Sequence, residues 1–207
     1  MKPRATGIVL AGGSSQRMGR DKACLEIGGG TVLRRVLDAV FLVCDDVVIA
    51  AGRRSHDFAG IPRVTCVDDP PGTGGPLAGV VAGMRSASNS ACIVVACDMP
   101  FVDPKLLAHL LDRLDDCAAA VPVFGGSPQP LQAAYSTTCL PTAECMLRLG
   151  DNSMRSLLDR IPVRFIGERQ VGRIDPGNLS GFNMNTVADL DFARHHWVQR
   201  RQRVATA

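Results

Sequence analysis

The sequence predicts an α/β protein with one domain and a mostly parallel sheet. Apolar runs typical of buried strands alternate with stretches whose apolar residues recur at helical spacing. A chain of 207 residues suits one domain, and 46% hydrophobic against 21% charged residues is typical of a globular protein. No repeat or low-complexity linker interrupts this alternation. We therefore expect one sheet with helices packed against it.

The first half of the chain begins with a buried strand that stops at paired glycines. Thr31 is suited to cap the helix that follows, because its hydroxyl can accept a hydrogen bond from the first turn. The elements expected here are a strand at Gly7–Ala11, a helix over Val32–Val43, strands at Val47–Ala51 and Val64–Val67, and a helix over Gly75–Ala87.

The second half continues the alternation. Asp103 before Pro104 indicates a helix start, since the carboxylate can cap the first turn and proline suits its first position. Thr186 and Asp189 have the spacing of a capping box before the closing helix. The elements expected are strands at Ala91–Cys97, Ala118–Phe124 and Leu131–Tyr135, helices over Leu106–Leu114 and Met154–Ile161, an extended segment at Pro162–Gly167, and a closing helix with a basic tail over 187–207.

Charge and cysteine usage exclude several classes of protein. The formal net charge of +3 is too small to indicate a nucleic-acid partner. The eight cysteines form no Cys-x-x-Cys pair and mostly lie in apolar runs, which favours buried free thiols over disulfides or zinc. Without a signal peptide or an apolar run of membrane length, we expect a cytoplasmic protein with no membrane partner.

The segment Leu10–Lys22 is the most informative stretch for function. It contains paired glycines followed by three basic side chains and one carboxylate, namely Gly12, Gly13, Arg17, Arg20, Lys22 and Asp21. Glycines let backbone N–H groups approach an anion, and fixed cations neutralise charge on a phosphoryl group. The spacing matches neither a P-loop nor a dinucleotide fingerprint. A phosphate-handling loop is favoured over an ordinary turn with solvated charges.

Carboxylates follow two other predicted strands. Asp68 and Asp69 follow the third strand, and Asp98 follows the strongly apolar strand Ala91–Cys97. Because ligands of parallel sheets bind beyond the carboxyl ends of the strands, these groups should share one crevice with the glycine loop. A divalent cation that bridges nucleotide phosphates would stabilise Asp98 at the edge of the core. The alternative is a turn-forming or helix-capping aspartate.

Two further segments could contact a ligand. Gly72–Gly79 can bring backbone close to a ligand and begin a helix, although such loops are usually only loops. The amides of Asn183 and Asn185 could bind a polar ligand or simply shape a turn. The histidines form no catalytic set, which fits a reaction whose phosphate nucleophile is already ionised.

Four ordered blocks resemble the molybdenum cofactor guanylyltransferases, a family of MobA-like nucleotidyltransferases. The blocks are Leu10–Lys22, Gly75–Gly79, Cys97–Pro100 and Phe182–Thr186, within a resemblance that covers about Thr6 to Phe192. The resemblance implies a three-layer α/β/α Rossmann-like nucleotidyltransferase fold in a single domain over 1–207. The chain departs from the family pattern at Ala50, Gln129 and Val187, where relatives tend to carry asparagine, histidine and proline.

The resemblance also implies roles for individual residues. The nucleotide-binding set is Leu10, Ala11, Gly12, Gly13, Lys22, Asp69 and Asp98, with Asp68 as an alternative to its neighbour. The catalytic set is Arg17, Lys22 and Asp98, of which Asp98 holds Mg²⁺. The set on the pterin side is Gly75, Pro76, Leu77, Asn183 and Asn185.

The implied reaction transfers GMP from GTP to the terminal phosphate of molybdopterin and releases pyrophosphate. The resemblance is compatible with transient contact with cofactor-assembly proteins or recipient molybdoenzymes. It implies neither a nucleic-acid nor a membrane partner. One alternative is a cytidylyltransferase, or another MobA-like enzyme, although Gly12-Gly13 and Asp21-Lys22 favour the guanylyl group. The other alternative is a non-catalytic carrier of molybdopterin or nucleotide. Arg17, Lys22 and Asp98 argue against a carrier, because it would not need a metal across a triphosphate.

Overall fold

A computed structural model describes residues 4–12, 24–52, 58 and 61–205 of the chain. Its strands are β1 (Ala5–Leu10), β2 (Glu26–Ile27), β3 (Gly30–Thr31), β4 (Asp46–Ala50), β5 (Val64–Val67), β6 (Ala91–Ala96), β7 (Ala119–Phe124), β8 (Ser127–Pro128), β9 (Gln132–Ser136) and β10 (Val163–Ile166). Its α-helices are α1 (Val32–Phe41), α2 (Pro76–Ser86), α3 (Pro104–Leu111), α4 (Leu140–Arg148), α5 (Met154–Leu158), α6 (Glu168–Ile174) and α7 (Val187–Ala205).

The main sheet of the described residues has eight strands. Its order is β10–β7–β9–β6–β1–β4–β5, and β8 pairs with β7 beside this path. Strand β9 runs antiparallel to both of its neighbours, whereas the other neighbouring pairs along the path are parallel. The prediction of a mostly parallel sheet is therefore confirmed. Strands β2 and β3 form a separate antiparallel hairpin.

The register of the parallel strands aligns their carboxyl ends. Leu10 of β1 lies opposite Ala50 of β4 on one side and Ala96 of β6 on the other. Ala50 in turn lies opposite Val67 of β5. Four strands therefore end in one row, and the residues that follow them emerge along a single edge of the sheet.

Helices cover both faces of the sheet, as the three-layer prediction requires. One face packs against α1, α3 and α6, and the other packs against α2, α4 and α5. A third apolar cluster joins α7 to the hairpin and to the chain that follows β6, and it includes Ile27, Phe101, Met184, Leu190 and Ala193.

The predicted helix starts are confirmed by their caps. The Thr31 hydroxyl accepts from the N–H of Arg34 at 3.2 Å, and the Asp103 carboxylate accepts from the N–H of Lys105 at 2.8 Å. At α7 the Thr186 hydroxyl accepts from the N–H of Asp189, whose carboxylate accepts from the N–H of Thr186. Caps are local interactions, so the sequence alone reveals them.

Some helix ends and some elements differ from the prediction. Helix α3 ends at Leu111 rather than Leu114, because Arg113 and Leu114 donate to carbonyls only three residues back. Helix α5 ends at Leu158 instead of Ile161. Helices α4 and α6 and the β2–β3 hairpin were not expected, since each has too short or too mixed an apolar pattern to stand out.

We expect Gly83→Ala to lower the free energy of unfolding by about 1–3 kcal/mol, as overpacking does in well-packed cores. A Cβ at Gly83 would overlap the Cγ2 atom of Ile8, so the glycine sets how closely α2 approaches β1. Gly172 of α6 is the matched control, because beyond its own helix backbone a Cβ there would meet no described heavy atom within 4 Å. Gly172→Ala should raise stability by up to about 1 kcal/mol. Urea titrations of both variants measure the free energy of unfolding. An equal change in the two variants would contradict the prediction.

Candidate functional site

The candidate site lies where the four aligned strands end. The N–H groups of Ala11 and Gly12 donate to the carbonyl of Ala50 at 2.9 and 3.1 Å. The N–H of Cys97 donates to the carbonyl of Leu10 at 3.0 Å. The exit of β1 is thus held to the exits of both neighbouring strands. Gly13, Arg17 and Lys22 lie outside the described residues.

Asp69 lies beside the exits of β1 and β4. A Cβ at Gly52 would be 3.3 Å from its Oδ2 atom, and a Cβ at Gly79 of α2 would be 3.7 Å from its Oδ1 atom. The carboxylate is half-buried, whereas its neighbour Asp68 is exposed. Burial, with a smaller contribution from the Asp68 charge, raises the pKa of Asp69. Of the two candidates, Asp69 is therefore the one that is packed near Gly52 and Gly79 at the strand ends.

Asp98 lies on the other side of β1, at the exit of β6. Its carbonyl accepts from the N–H of Met184 at 2.9 Å, and the Met184 side chain is fully buried. Asn183 and Asn185 flank that methionine, so the turn before α7 is docked directly onto the Asp98 segment. The structure thus brings together two blocks that are more than 80 residues apart in the sequence.

The start of α2 approaches the same edge. Gly75 precedes the helix with a φ of +86°, a conformation that favours glycine. The side-chain amide of Asn152 donates to the carbonyl of Gly74 at 3.2 Å and so supports this turn. The side chain of Leu77 is fully buried in the core, so only its backbone is available to a ligand. Asn152 was not singled out by the sequence, because its contact depends on long-range packing.

A second residue that the sequence analysis missed is Gln132 of β9. It is fully buried, and within the described structure neither polar atom of its amide has a hydrogen-bond partner. Its register partner is Val95, near the carboxyl end of β6. The sequence carries one signal for this residue, namely a glutamine among the apolar residues of a strand. Such a position stands out because buried polar groups are usually hydrogen-bonded.

The donor set at this edge is compatible with a magnesium ion held partly by substrate. Among the described residues there is no group of three or more His, Cys, Asp or Glu that could hold a metal. Asp98 offers one carboxylate, with a buried Oδ1 atom, directly beyond a strand that is paired on both sides. Magnesium commonly takes one or two protein carboxylates and completes its coordination with phosphates and water. Asp98 therefore fits such an ion when a triphosphate is present.

A mostly parallel α/β/α sheet with acidic and glycine-rich segments at its carboxyl edge defines a nucleotide-handling α/β protein. Comparisons with known proteins identify the group more closely. The profile of the MobA-like NTP transferase domain matches residues 7–165. The chain belongs to the MobA-like NTP transferase family of nucleotidyltransferases, which confirms the resemblance in the sequence. No helix in the described part of the chain has the length and apolar character needed to span a membrane.

Curated relatives match nearly the whole chain. A probable molybdenum cofactor guanylyltransferase from Pelotomaculum thermopropionicum is 36% identical over 191 residues, which is 92% of each chain. The molybdenum cofactor guanylyltransferase of Desulfosudis oleivorans is 35% identical over 192 residues, covering 91% of this chain and 93% of the relative.

Solved structures confirm the fold. The molybdopterin-guanine dinucleotide biosynthesis protein A of Archaeoglobus fulgidus superposes with a TM-score of 0.83 at 26% identity, covering 94% of this chain and 99% of the other. The 2-C-methyl-D-erythritol 4-phosphate cytidylyltransferase of Thermus thermophilus gives a TM-score of 0.68 at 22% identity, covering 95% and 99%. The second likeness concerns the fold alone.

Proposed function

We propose that this chain, acting as one nucleotidyltransferase domain, transfers GMP from GTP to the terminal phosphate of molybdopterin. The products are pyrophosphate and molybdopterin guanine dinucleotide. The family and the names of the relatives support this reaction. The observation that carries the proposal is the hydrogen bond from Met184 to Asp98, because it joins the asparagine turn to the strand edge where Gly12 and Asp69 also lie.

The nucleotide side of the site is the crevice around Asp69. Guanine presents two neighbouring N–H donors, its ring N1–H and its 2-amino group. An ionised carboxylate is an acceptor only and can receive both hydrogen bonds. Cytosine presents an amino group beside an acceptor, so it can donate only one bond to the same carboxylate. The half-buried Asp69 therefore supports GTP as the substrate in preference to CTP.

The reaction needs alignment of phosphates more than proton transfer. A phosphate oxygen of molybdopterin bonds to the α-phosphorus of GTP, and the bond from that phosphorus to the pyrophosphate oxygen breaks. Phosphate monoesters are largely ionised near neutral pH, so no general base is required. Asp98 would hold Mg²⁺, which when bound offsets negative charge on the phosphates. Lys22 and Arg17 are assigned to the triphosphate by the resemblance alone.

The acceptor side of the proposed site is formed by the two asparagines and the turn before α2. Asn183 and Asn185 each have an amide that can donate and accept hydrogen bonds, which suits a polar pterin. Gly75 and Pro76 would line the opposite boundary through their backbone. The backbone hydrogen bond from Met184 to Asp98 supports this arrangement, since it joins the segment that carries both asparagines to the residue assigned to the metal.

The proposal predicts pyrophosphate release from purified protein supplied with Mg²⁺, molybdopterin and GTP. Parallel reactions contain CTP in place of GTP, or lack molybdopterin or Mg²⁺. We expect release only with GTP and with all components present. Release with CTP alone would contradict the assigned base. Tight molybdopterin binding without release from either nucleotide would favour a carrier over an enzyme.

A further inference from the structure

Trp197, the one tryptophan in the sequence, lies close to the Asp98 segment. Its ring stacks against Phe101 with centroids 6.2 Å apart and an interplanar angle of 20°. Phe101 is 3% exposed and follows Asp98 by three residues. The indole is thus packed against the segment that follows Asp98, the residue proposed to hold the metal. None of the proposed catalytic or binding residues lies on α7 itself.

The same indole is also held by the β2–β3 hairpin. Gly28 at the tip of the hairpin has a φ of +57°, and a Cβ there would overlap the Cδ1 atom of Trp197. The guanidinium carbon of Arg35 lies 3.6 Å from the centroid of the indole ring. The Nε of Arg35 donates to the carbonyl of Ile27 at 2.8 Å, so the cation that covers the ring also holds the hairpin.

Helix α7 makes a further hydrogen bond to the hairpin. The Nε of Arg194, one turn before Trp197, donates to the carbonyl of Glu26 at 3.2 Å. The hairpin forms its own two-stranded sheet, apart from the main sheet. It continues directly into α1, which packs on the main sheet, and its side-chain contacts add to this connection. Among them, Trp197 contacts both the hairpin and Phe101.

We propose that Trp197 is a positioning residue that sets the distance between the β2–β3 hairpin and the Asp98 segment. The inference rests on the proposed function, in which Asp98 holds Mg²⁺ on a triphosphate. In the sequence the hairpin begins four residues after Lys22, which the family resemblance assigns to the phosphates. A fixed separation between the hairpin and Asp98 would keep the phosphate contacts aligned with the metal, and alignment is what this reaction requires.

The proposal predicts a specific kinetic defect in Trp197→Leu. This variant keeps an apolar side chain but loses the stacking on Phe101 and the contact between the ring and the Arg35 guanidinium. Since a displacement of about 1 Å can cost about a hundredfold in rate, we expect kcat to fall by about tenfold or more. The half-saturating Mg²⁺ concentration should rise several-fold. The Kd of GTP should rise by a smaller factor than the half-saturating Mg²⁺ concentration, because the base is assigned to Asp69, on the far side of β1 from Asp98 and Phe101.

Two variants serve as comparisons. Trp197→Phe keeps an aromatic ring against Phe101 and removes an indole N–H that has no hydrogen-bond partner in the described structure. It should restore much of kcat and of the Mg²⁺ dependence. Val198→Ala changes the adjacent, 52% exposed position of α7 and should behave as wild type. Circular dichroism and thermal melting check that each variant is folded.

Tryptophan fluorescence gives a readout that does not depend on turnover. Because the chain has a single tryptophan, its emission reports directly on the indole between the hairpin and Phe101. Addition of GTP with Mg²⁺ should change the emission saturably in the wild-type protein, and Asp98→Asn should reduce that change. This measurement also tests the proposal if Trp197→Leu does not fold.

The results separate this inference from the proposed function. A wild-type protein that releases no pyrophosphate would contradict the proposed function. An active wild type, together with a Trp197→Leu variant that matches Val198→Ala in kcat and Mg²⁺ dependence, would overturn the positioning role. A lower kcat explained by a smaller folded fraction, with unchanged Mg²⁺ half-saturation, would overturn it as well.

Discussion

Asp98→Asn is expected to lower kcat for pyrophosphate release by at least about 10²–10³-fold, the usual loss when one charge-stabilising group is removed. Asparagine has nearly the same shape as aspartate but lacks the charge that would hold Mg²⁺. The hydrogen bond to Met184 uses the backbone carbonyl of residue 98, so the variant keeps the contact that docks the asparagine turn. Stability should therefore change by less than about 1 kcal/mol.

Asp103→Asn is the matched control for this experiment. It removes a carboxylate five residues away. In the structure this carboxylate caps α3 by accepting a hydrogen bond from the N–H of Lys105. Asparagine caps helices about as well as aspartate, so both stability and kcat should be retained. Pyrophosphate assays and urea titrations of the two variants are compared directly. Near wild-type turnover in Asp98→Asn would refute the metal assignment.

Asp69→Asn is expected to reduce the preference for GTP over CTP by about 10-fold or more, since hydrogen bonds to charged groups contribute about 1.5–3 kcal/mol. The carboxylate lies between Gly52 and Gly79 in the crevice, whereas Asp68 is exposed. Asp68→Asn should have the smaller effect. The measurement is kcat/KM for each nucleotide in both variants, and a larger loss at Asp68 would reverse the assignment.

The raised pKa of Asp69 adds a dependence on pH. Burial first, and the Asp68 charge second, make this carboxyl take up a proton at a higher pH than an ordinary aspartate. A protonated carboxyl accepts fewer hydrogen bonds, so the affinity for GTP should fall as the pH decreases through the raised pKa. Asp69→Asn should remove this step in a titration of Kd against pH.

The same pKa shift predicts the effect of Asp69→Asn on stability. A carboxyl whose pKa is higher in the folded than in the unfolded protein is ionised at a cost to the folded state. Its contribution to stability is largest below the unfolded pKa and is lost as the pH rises through the folded pKa. At neutral pH the replacement by a neutral amide should therefore not lower the free energy of unfolding. A marked loss of stability would indicate a structural role for the carboxylate.

Much of the strand and helix pattern could be predicted because its signals are local. Strand β5 has the predicted bounds, and β6 ends within one residue of the prediction because Asp98 follows its apolar run. The caps at Thr31 and Asp103 depend on residues within one turn of each other. Helix α4 was missed because Cys139 precedes it without a side-chain cap and its apolar face is short.

The residue types of the proposed site could be inferred from motifs, and their spatial arrangement only in part. Asp98 and the paired asparagines were recognised from their motifs, but the hydrogen bond that joins them involves Met184, whose role no motif indicates. The choice between Asp68 and Asp69 could not be made from a strand end alone, since neighbouring residues on a chain leaving a strand differ in burial. The proximity of Asp69 to Gly52 and Gly79, together with the exposure of Asp68, favours Asp69 in the proposed site.

The sequence by itself determined the alternation of strands and helices, the caps, the family and the residue types at the strand ends. These follow from apolar periodicity, local hydrogen bonding and motifs, which need no information about distant parts of the chain. Only the tertiary structure decided the strand order, the antiparallel insertion of β9, the burial of Asp69 and the position of Trp197 between Gly28 and Phe101. Each of these depends on packing between segments far apart in sequence, and such packing is selected by the burial of the whole core.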